Sequence, residues 1–281
     1  MELSGTVSDT FSGRTAIVTG GGSGIGAALA HRLADHGAKV VIADLDPATA
    51  ARVASEIGAA AVAAAGDAAD PEVIQGFIDI AESAFGPVDL YFANAGIGGG
   101  AGLDSTDAQW ASALEINTMA HIRAARLLVP GWLARGTGYF VSTASAAGLL
   151  TQLGSAPYAV SKHAAVGFAE WLSVTYGDRG IRVSCVCPMG VDTALLREGM
   201  IPPDNVAAGR LAIDAVRSAG AVLTPEEVAD TVLTGVAAGQ FLILPHPEVL
   251  TMYQHKGSDY DRWIRGMRRF QNALENPGAE E

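Results

Sequence analysis

One alternation repeats along this chain and limits what it can become: a short apolar run, a polar or glycine residue at its end, then a helix start. Thr15 to Thr19, Lys39 to Ala43, Ala59 to Ala65, Val88 to Ala93, Gly138 to Ala144, Ile181 to Cys187 and Phe241 to Leu244 read as buried strands. Helices are expected between them. The first spans Ala27 to His36, the next opens at Asp46-Pro47, and a third runs from Asp70-Pro71 to about Ala84. A longer one opens at the capping box Thr106 to Gln109 and carries Asn117 in its middle. Another spans Pro157 to about Tyr176, and a last one opens at Thr224-Pro225-Glu226-Glu227 and ends near Gly239. Strands separated by helices at this spacing pair in parallel. The expected fold is therefore α/β, a doubly wound parallel (Rossmann-type) sheet of about seven strands with helices on both faces.

No repeat or linker interrupts this pattern, so residues 1–281 are expected to form a single domain with a loose N-terminus over 1–12. Residues 194–220 lack a strand signal and read as short helical pieces broken at Met200-Ile201-Pro202-Pro203, the composition of a lid. Residues 245–281 form a C-terminal tail, whose Tyr253, Tyr260, Trp263, Met267 and Phe270 give a helix one apolar, aromatic side.

Ligands of parallel sheets sit beyond the carboxyl ends of the strands, and Asp44, Asp67, Asn94, Ser145 and Thr193 all fall there. After the first strand comes Gly20-Gly21-Gly22-Ser23-Gly24-Ile25-Gly26 and then a helix, so the backbone can turn tightly and bring helix N–H groups to a pyrophosphate. Asp44 lies eighteen residues beyond Gly26. Since Asp46-Pro47 supplies the helix cap, Asp44 is free to accept both hydroxyls of an adenosine ribose and to repel a 2′-phosphate. No Arg or Lys stands at 21–23 or at Leu45 to neutralise such a phosphate, which favours NAD over NADP.

Tyr158 and Lys162 are four apart on an expected helix and share a face. A free tyrosine titrates near ~10, and an ammonium one turn away is expected to pull that value down toward working range. Ser145 closes the preceding strand, where its hydroxyl can bond the same reacting oxygen. The chain has lysines only at 39, 162 and 256, which makes this spacing hard to assign to chance.

A net charge of −12 argues against nucleic acid or an anionic membrane as partner. No apolar run reaches spanning length, and Met1 to Ser12 has neither a basic nor an apolar leader region, so a cytoplasmic protein is expected. Cys185 and Cys187 are expected to point to opposite faces of a strand and not to bridge. The histidines His31, His36, His121, His163, His246 and His255 show no ligand spacing, so no metal is expected and packing explains them.

Together these residues resemble the classical short-chain dehydrogenase/reductase family. Thr19-Gly20, three residues and Gly24-Ile25-Gly26 match its cofactor motif, Asn94-Ala95-Gly96 its central-strand motif, and Asn117, Ser145, Tyr158 and Lys162 its catalytic tetrad, over roughly Gly13 to Leu244. Two positions depart from it: Pro188-Met189 stands where the family has Pro-Gly, and Cys187 where it often has asparagine. The resemblance implies hydride transfer between a secondary alcohol carbon and the nicotinamide, with Tyr158 as acid/base, Ser145 orienting the oxygen and Asn117 anchoring a relay water. Lys162 would hold the nicotinamide ribose. Gly20, Ser23, Gly24, Ile25 and Gly26 would wrap the pyrophosphate of NAD, Asp44 and Leu45 would flank its ribose, and Asp67 and Ala68 its adenine. Asn94 and Gly96 would line the cleft, and Val191 and Thr193 would hold the carboxamide. A homotetramer through the helices of Asn117 and Tyr158 is implied as well.

The residues around the tetrad define the expected substrate. Ile97 and the glycines to Gly102, Leu149, Leu150, Leu153, Leu195, Leu196, Met200 and Ile201 would line its pocket, with Gly98-Gly99-Gly100 widening one wall and Arg197 on the lid as the one nearby cation. A neutral, bulky, lipophilic or aryl secondary alcohol and its ketone are expected. The competing readings are an NADP-linked carbonyl reductase, a non-catalytic dinucleotide-binding sensor or scaffold, and an epimerase or dehydratase. Sensors of this fold usually lack the Tyr or the Lys. Epimerases and dehydratases usually carry a longer C-terminal domain.

Overall fold

A computed structural model describes residues 7–202 and 204–276. The strands are β1 (Thr15–Thr19), β2 (Lys39–Asp44), β3 (Ala61–Ala65), β4 (Val88–Ala93), β5 (Gly138–Thr143), β6 (Ile181–Val186), β7 (Gly190–Val191), β8 (Val222–Leu223) and β9 (Leu242–Ile243). Seven form one sheet in the order β3-β2-β1-β4-β5-β6-β9, with every pair parallel. The order reverses direction between β1 and β4, the switch point where such sheets open a crevice. Alternate residues of each strand feed two cores. Val41, Ala43, Tyr91, Phe140 and Cys185 pack with the helices Pro71–Phe85, Ala120–Arg135 and Ala156–Tyr176. Val40, Ile42, Leu90, Phe92 and Val141 pack with Gly24–Asp35, Pro47–Ile57 and Pro225–Ala237. Burial on both faces explains why these strands read as unbroken apolar runs.

The expected helix starts are present as side-chain caps. Asp46 accepts from the Ala48 N–H (2.9 Å) and Asp70 from the Glu72 N–H (2.8 Å). Thr106 with Gln109, and Thr224 with Glu227, form reciprocal capping boxes.

Several sequence expectations need correcting. The third strand starts at Ala61, because Ala59 and Ala60 are spent in a turn closed by Ala61 N–H to Gly58 O (2.9 Å). The first long helix starts at Gly24. The lid has a π-helical turn (Leu195–Gly199) and one continuous helix (Val206–Ala219) in place of short pieces, and a small parallel pair, β7 with β8, closes its ends. That pair was not visible in the sequence because two residues carry no periodicity. The tail is two helices, Glu248–Ser258 and Tyr260–Glu275, divided at Asp259, whose side chain caps the second through Arg262 N–H (2.9 Å). Cys185 and Cys187 do not point apart. Strand side chains repeat every two residues, so both face the same core, with their sulfurs 3.8 Å apart and both thiols free. The N-terminal expectation over 1–12 falls partly outside the described residues; Val7–Phe11 is a short helix whose Phe11 is buried.

Candidate active site

A cleft of about 720 Å3 opens at the carboxyl end of the sheet. Gly20, Ser23, Gly24, Ile25, Asp44, Leu45, Asp67, Ala68, Asn94, Gly96, Val191 and Thr193 line it, as do Ser145, Tyr158 and Lys162. Two expected site residues stand behind the wall. Gly26 is buried where a side chain would run into the Gly20 carbonyl and Asn94 Nδ2, so it lets the helix pack against the glycine turn. Asn117 lies in a π-helical turn (Glu115–Met119), with its polar atoms already engaged. Its Oδ1 accepts from Ile97 N–H (2.9 Å), and its Nδ2 donates to Ile97 O (3.0 Å) and Ser161 Oγ (3.0 Å). Its side chain therefore fixes the cleft wall at Ile97.

The turn around the glycines is built for a close approach. Gly20 and Gly24 have left-handed backbones (φ 63° and 49°), and a Cβ on Gly24 would stand 3.0 Å from the Thr193 methyl. Thr19 ties this turn to the central strand, its hydroxyl accepting from the N–H groups of Asn94 (3.0 Å) and Ala95 (3.1 Å). Asp44 is held by two backbone donors, Gly22 N–H to Oδ2 (2.8 Å) and Asp46 N–H to Oδ1 (3.0 Å). Those bonds leave its remaining lone pairs facing the cleft edge as a fixed diol acceptor. One nearby cation was missed in the sequence because it lies thirty residues from the loop it touches: Arg52 donates to Gly22 O (3.0 Å) while pairing with Glu56 (2.7 Å). A glycine turn, a fixed carboxylate and an elongated cleft fit a dinucleotide.

Ser145 follows β5 and is locked by its neighbours: Ala144 N–H bonds Val186 O and Ala146 N–H bonds Pro188 O, both at 2.8 Å. Its hydroxyl accepts from Ala147 N–H (3.1 Å) and donates to Pro188 O (3.4 Å), beside the Tyr158 phenol. Tyr158 and Lys162 leave one face of the helix Ala156–Tyr176, with the ammonium 5.7 Å from the Tyr158 ring centre and donating to Thr143 O (3.0 Å). The pKa expectation is overturned here. Burial raises the Tyr158 phenol above its ordinary value, opposed by the Ser145 hydrogen bond and reinforced by Cys187. Lys162 is not among the groups that move it. Burial lowers Lys162 itself to about 8. Behind the pair, His121 bonds Ser142 Oγ (2.9 Å) and burial, with a contribution from Lys162, holds it down to about 3, a neutral imidazole.

The other half of the cleft is apolar. Ile97, Leu150, Leu153, Leu195, Leu196 and Met200 line it as expected, whereas Leu149 and Ile201 do not. The tail supplies Met252, Trp263, Met267 and Phe270. Among the described residues, Lys162 is the one cation on the cleft wall; Arg197 is turned outward onto Asp192 (2.8 Å). The glycine run does not widen the pocket. Side chains at Gly98 and Gly100 would press on Met200 Sδ (2.7 Å) and Pro157 Cγ (2.8 Å), so these glycines let the lid and the Tyr158 helix close in. Thr151, also on the wall, holds a φ of 108°, a strained backbone for a residue with a side chain.

The fold and this constellation define a dehydrogenase of the Rossmann class, and the comparisons agree. A family model described as short chain dehydrogenase matches residues 14–200, so the chain belongs to the short chain dehydrogenase family. It is 38% identical over 216 residues to a 1-deoxy-11-beta-hydroxypentalenate dehydrogenase of Streptomyces exfoliatus (74% of this chain, 78% of that one). To a cyclohexanol dehydrogenase of Acinetobacter sp. (strain SE19) it is 35% identical over 199 residues (68% and 78%). The crystal structure of a short chain dehydrogenase/reductase from Burkholderia phymatum in complex with NAD superposes with a TM-score of 0.82, at 32% identity, over 89% of this chain and 95% of that one.

Proposed function

We propose that this chain is an NAD-dependent oxidoreductase that interconverts a bulky, lipophilic or aryl secondary alcohol and its ketone. One observation carries the reading: Ser145, Tyr158 and Lys162 meet between a polar half of the cleft that ends at Asp44 and an apolar half without a charged side chain.

NAD, when bound, supplies the acceptor for the hydride that leaves the carbinol carbon. Gly20, Ser23, Gly24 and Ile25 hold its pyrophosphate, Asp44 its adenosine ribose, Asp67 and Ala68 its adenine, and Val191 and Thr193 its carboxamide. The substrate oxygen lies between the hydroxyls of Ser145 and Tyr158. In oxidation the alcohol proton passes to the Tyr158 oxygen while Ser145 keeps the oxygen in line; in reduction both steps reverse. Lys162, tied to Thr143 O, holds the nicotinamide ribose beside Tyr158. Neutral apolar walls, the tail's Met252, Trp263, Met267 and Phe270 included, favour a lipophilic ring system over a hydroxy acid, a sugar or a thioester. The cyclohexanol in one relative's name supports the same choice, whereas the hydroxypentalenate in another's carries a carboxylate.

A second reading, NADP as cofactor, draws on Arg52 at the glycine turn, but Glu56 already pairs that guanidinium and Asp44 repels a phosphate. We also infer a homotetramer, supported by Leu114, Val160, Trp171 and Val174, which stand exposed on the helices of the site. A cytoplasmic location is inferred too; among the described residues no helix is long and apolar enough to cross a membrane. The test is steady-state kinetics with both cofactors across aliphatic, alicyclic, aryl and steroid alcohols, hydroxy acids and polyols. A charged or polyhydroxylated substrate winning tenfold or more overturns the pocket reading. Equal efficiency with both cofactors overturns the role of Asp44.

A further inference from the structure

The strip Pro188–Thr193 walls the cleft next to Ser145, and its backbone is pinned by the β7–β8 pairing and from two further sides. On the inner side Pro188 O accepts from Ala146 N–H (2.8 Å) and from Ser145 Oγ (3.4 Å). On the outer side stands His246, just past β9, 1% exposed and absent from the cleft wall. Both of its ring nitrogens are used by backbone groups of consecutive residues of the strip. Met189 N–H donates to Nδ1 (3.1 Å), and Nε2 bonds Gly190 O (3.0 Å). A backbone N–H can only donate and a carbonyl can only accept, so Nε2 carries the proton and Nδ1 is bare. This clamp falls on Met189-Gly190, where the sequence departs from the Pro-Gly it otherwise resembles.

From this geometry we propose that His246 is a positioning residue for the nicotinamide end of the cofactor, acting through the strip it holds. The proposal rests on the dinucleotide reading above. His246 sits on the segment after the last strand of the sheet, so it fixes Met189 and Gly190 against the sheet's edge. Val191 and Thr193, which line the cleft one and three residues further on, take their position from that anchor together with the β7–β8 pairing. No other side chain reaches Met189 N–H among the hydrogen bonds of the described residues. The adenosine half of the cleft is built from β1 to β4 and has no contact with this histidine, so the consequence is one-sided: a lost clamp loosens the nicotinamide end alone.

ADP-ribose, which lacks the nicotinamide, separates the two ends. NADH (by fluorescence) and ADP-ribose (by calorimetry) are titrated into the full wild-type chain and into His246→Phe, His246→Gln and His246→Asn. The phenyl ring keeps the shape and loses both bonds, Gln keeps a donor for Gly190 O, and Asn keeps an acceptor for Met189 N–H. The expected result is a loss of NADH affinity of tenfold or more in His246→Phe, smaller losses in the two amide variants, and ADP-ribose affinity within twofold throughout. If His246→Phe does not fold, a selective NADH loss of threefold or more in either amide variant carries the same conclusion. Unchanged NADH affinity, or equal loss for both ligands, overturns the clamp. A wild-type chain that binds neither ligand overturns the dinucleotide reading beneath it, and the proposal with it.

Discussion

The two halves of the cleft are made in different ways. The cofactor half is backbone: glycine turns and strand ends, with Asp44, Thr19 and Asn94 hydrogen-bonded to peptide groups of the sheet's first four strands. The substrate half is side chain: leucines after Ser145, the lid, and a tail more than a hundred residues further along. Nothing in the helix Tyr260–Glu275 is fully buried, and one lysine, Lys256, ties the preceding helix to the segment behind the wall by donating to Leu149 O (2.6 Å). A site of this kind keeps its chemistry rigid and leaves its specificity to elements that can be repacked without disturbing the sheet.

The hardest break of this contrast is Tyr158→Phe. Turnover should fall by on the order of 1,000-fold or more, while NADH affinity by fluorescence stays within about twofold, since the phenol acts on substrate oxygen and the backbone half is untouched. Substantial residual activity sinks the mechanism.

Next in size is a stability effect at Lys162. Its folded value near 8 lies below the ordinary 10.5, so the folded state binds the proton less well than the unfolded one. The resulting destabilisation is fully present below about pH 8 and fades as pH rises through 10.5; the shift corresponds to about 3 kcal/mol. Thermal melts of Lys162→Met should therefore lie at or above wild type at pH 7, with the gap narrowing by pH 10, even as NADH binding and turnover both suffer. A variant that melts well below wild type at pH 7 shows the ammonium to be a net stabiliser.

Asp44→Ser probes the backbone half. Wild type should prefer NAD over NADP by about 30-fold (about 2 kcal/mol), and the variant should lose most of that preference because Arg52 is already at the turn. An unchanged ratio of kcat/KM values would place the ribose elsewhere. The smallest effect sharpens the side-chain half. Lys256→Met should lower kcat/KM for a bulky alicyclic or steroid alcohol by about tenfold through KM, and for a small aliphatic alcohol by no more than about twofold. Equal losses for both would mean that the tail does not shape the pocket.

The same contrast explains what could be read from the sequence. Strand ends and caps follow from local pattern, so the parallel sheet and the placement of Asp44, Ser145 and Tyr158 on the cleft were legible. Burial is not local. The Tyr158 phenol could be placed beside Lys162 by spacing, but only packing shows that burial, and not the ammonium, sets the direction of its pKa. The apolar stripe of Trp263, Met267 and Phe270 announces a covered face without naming the cover. His246 and Arg52 are single residues whose partners lie 57 and 30 positions away, a separation no motif spans. The glycines at 98–100 were misread because a missing side chain looks the same in sequence whether it makes room or lets a neighbour in.

The short pairing of β7 with β8 fastens the two ends of the lid to each other, with Gly190 opposite Val222 and Asp192 N–H bonded to Leu223 O (2.8 Å). Residues 192–221 are thereby a closed bight of chain whose span is fixed whatever its contents. Closing such a bight depends only weakly on length, about 0.6 kcal/mol for each doubling. Changes of length within it should therefore cost little in loop closure, while the buried Met200, packed against Tyr158, has to keep its place in the ceiling over the substrate.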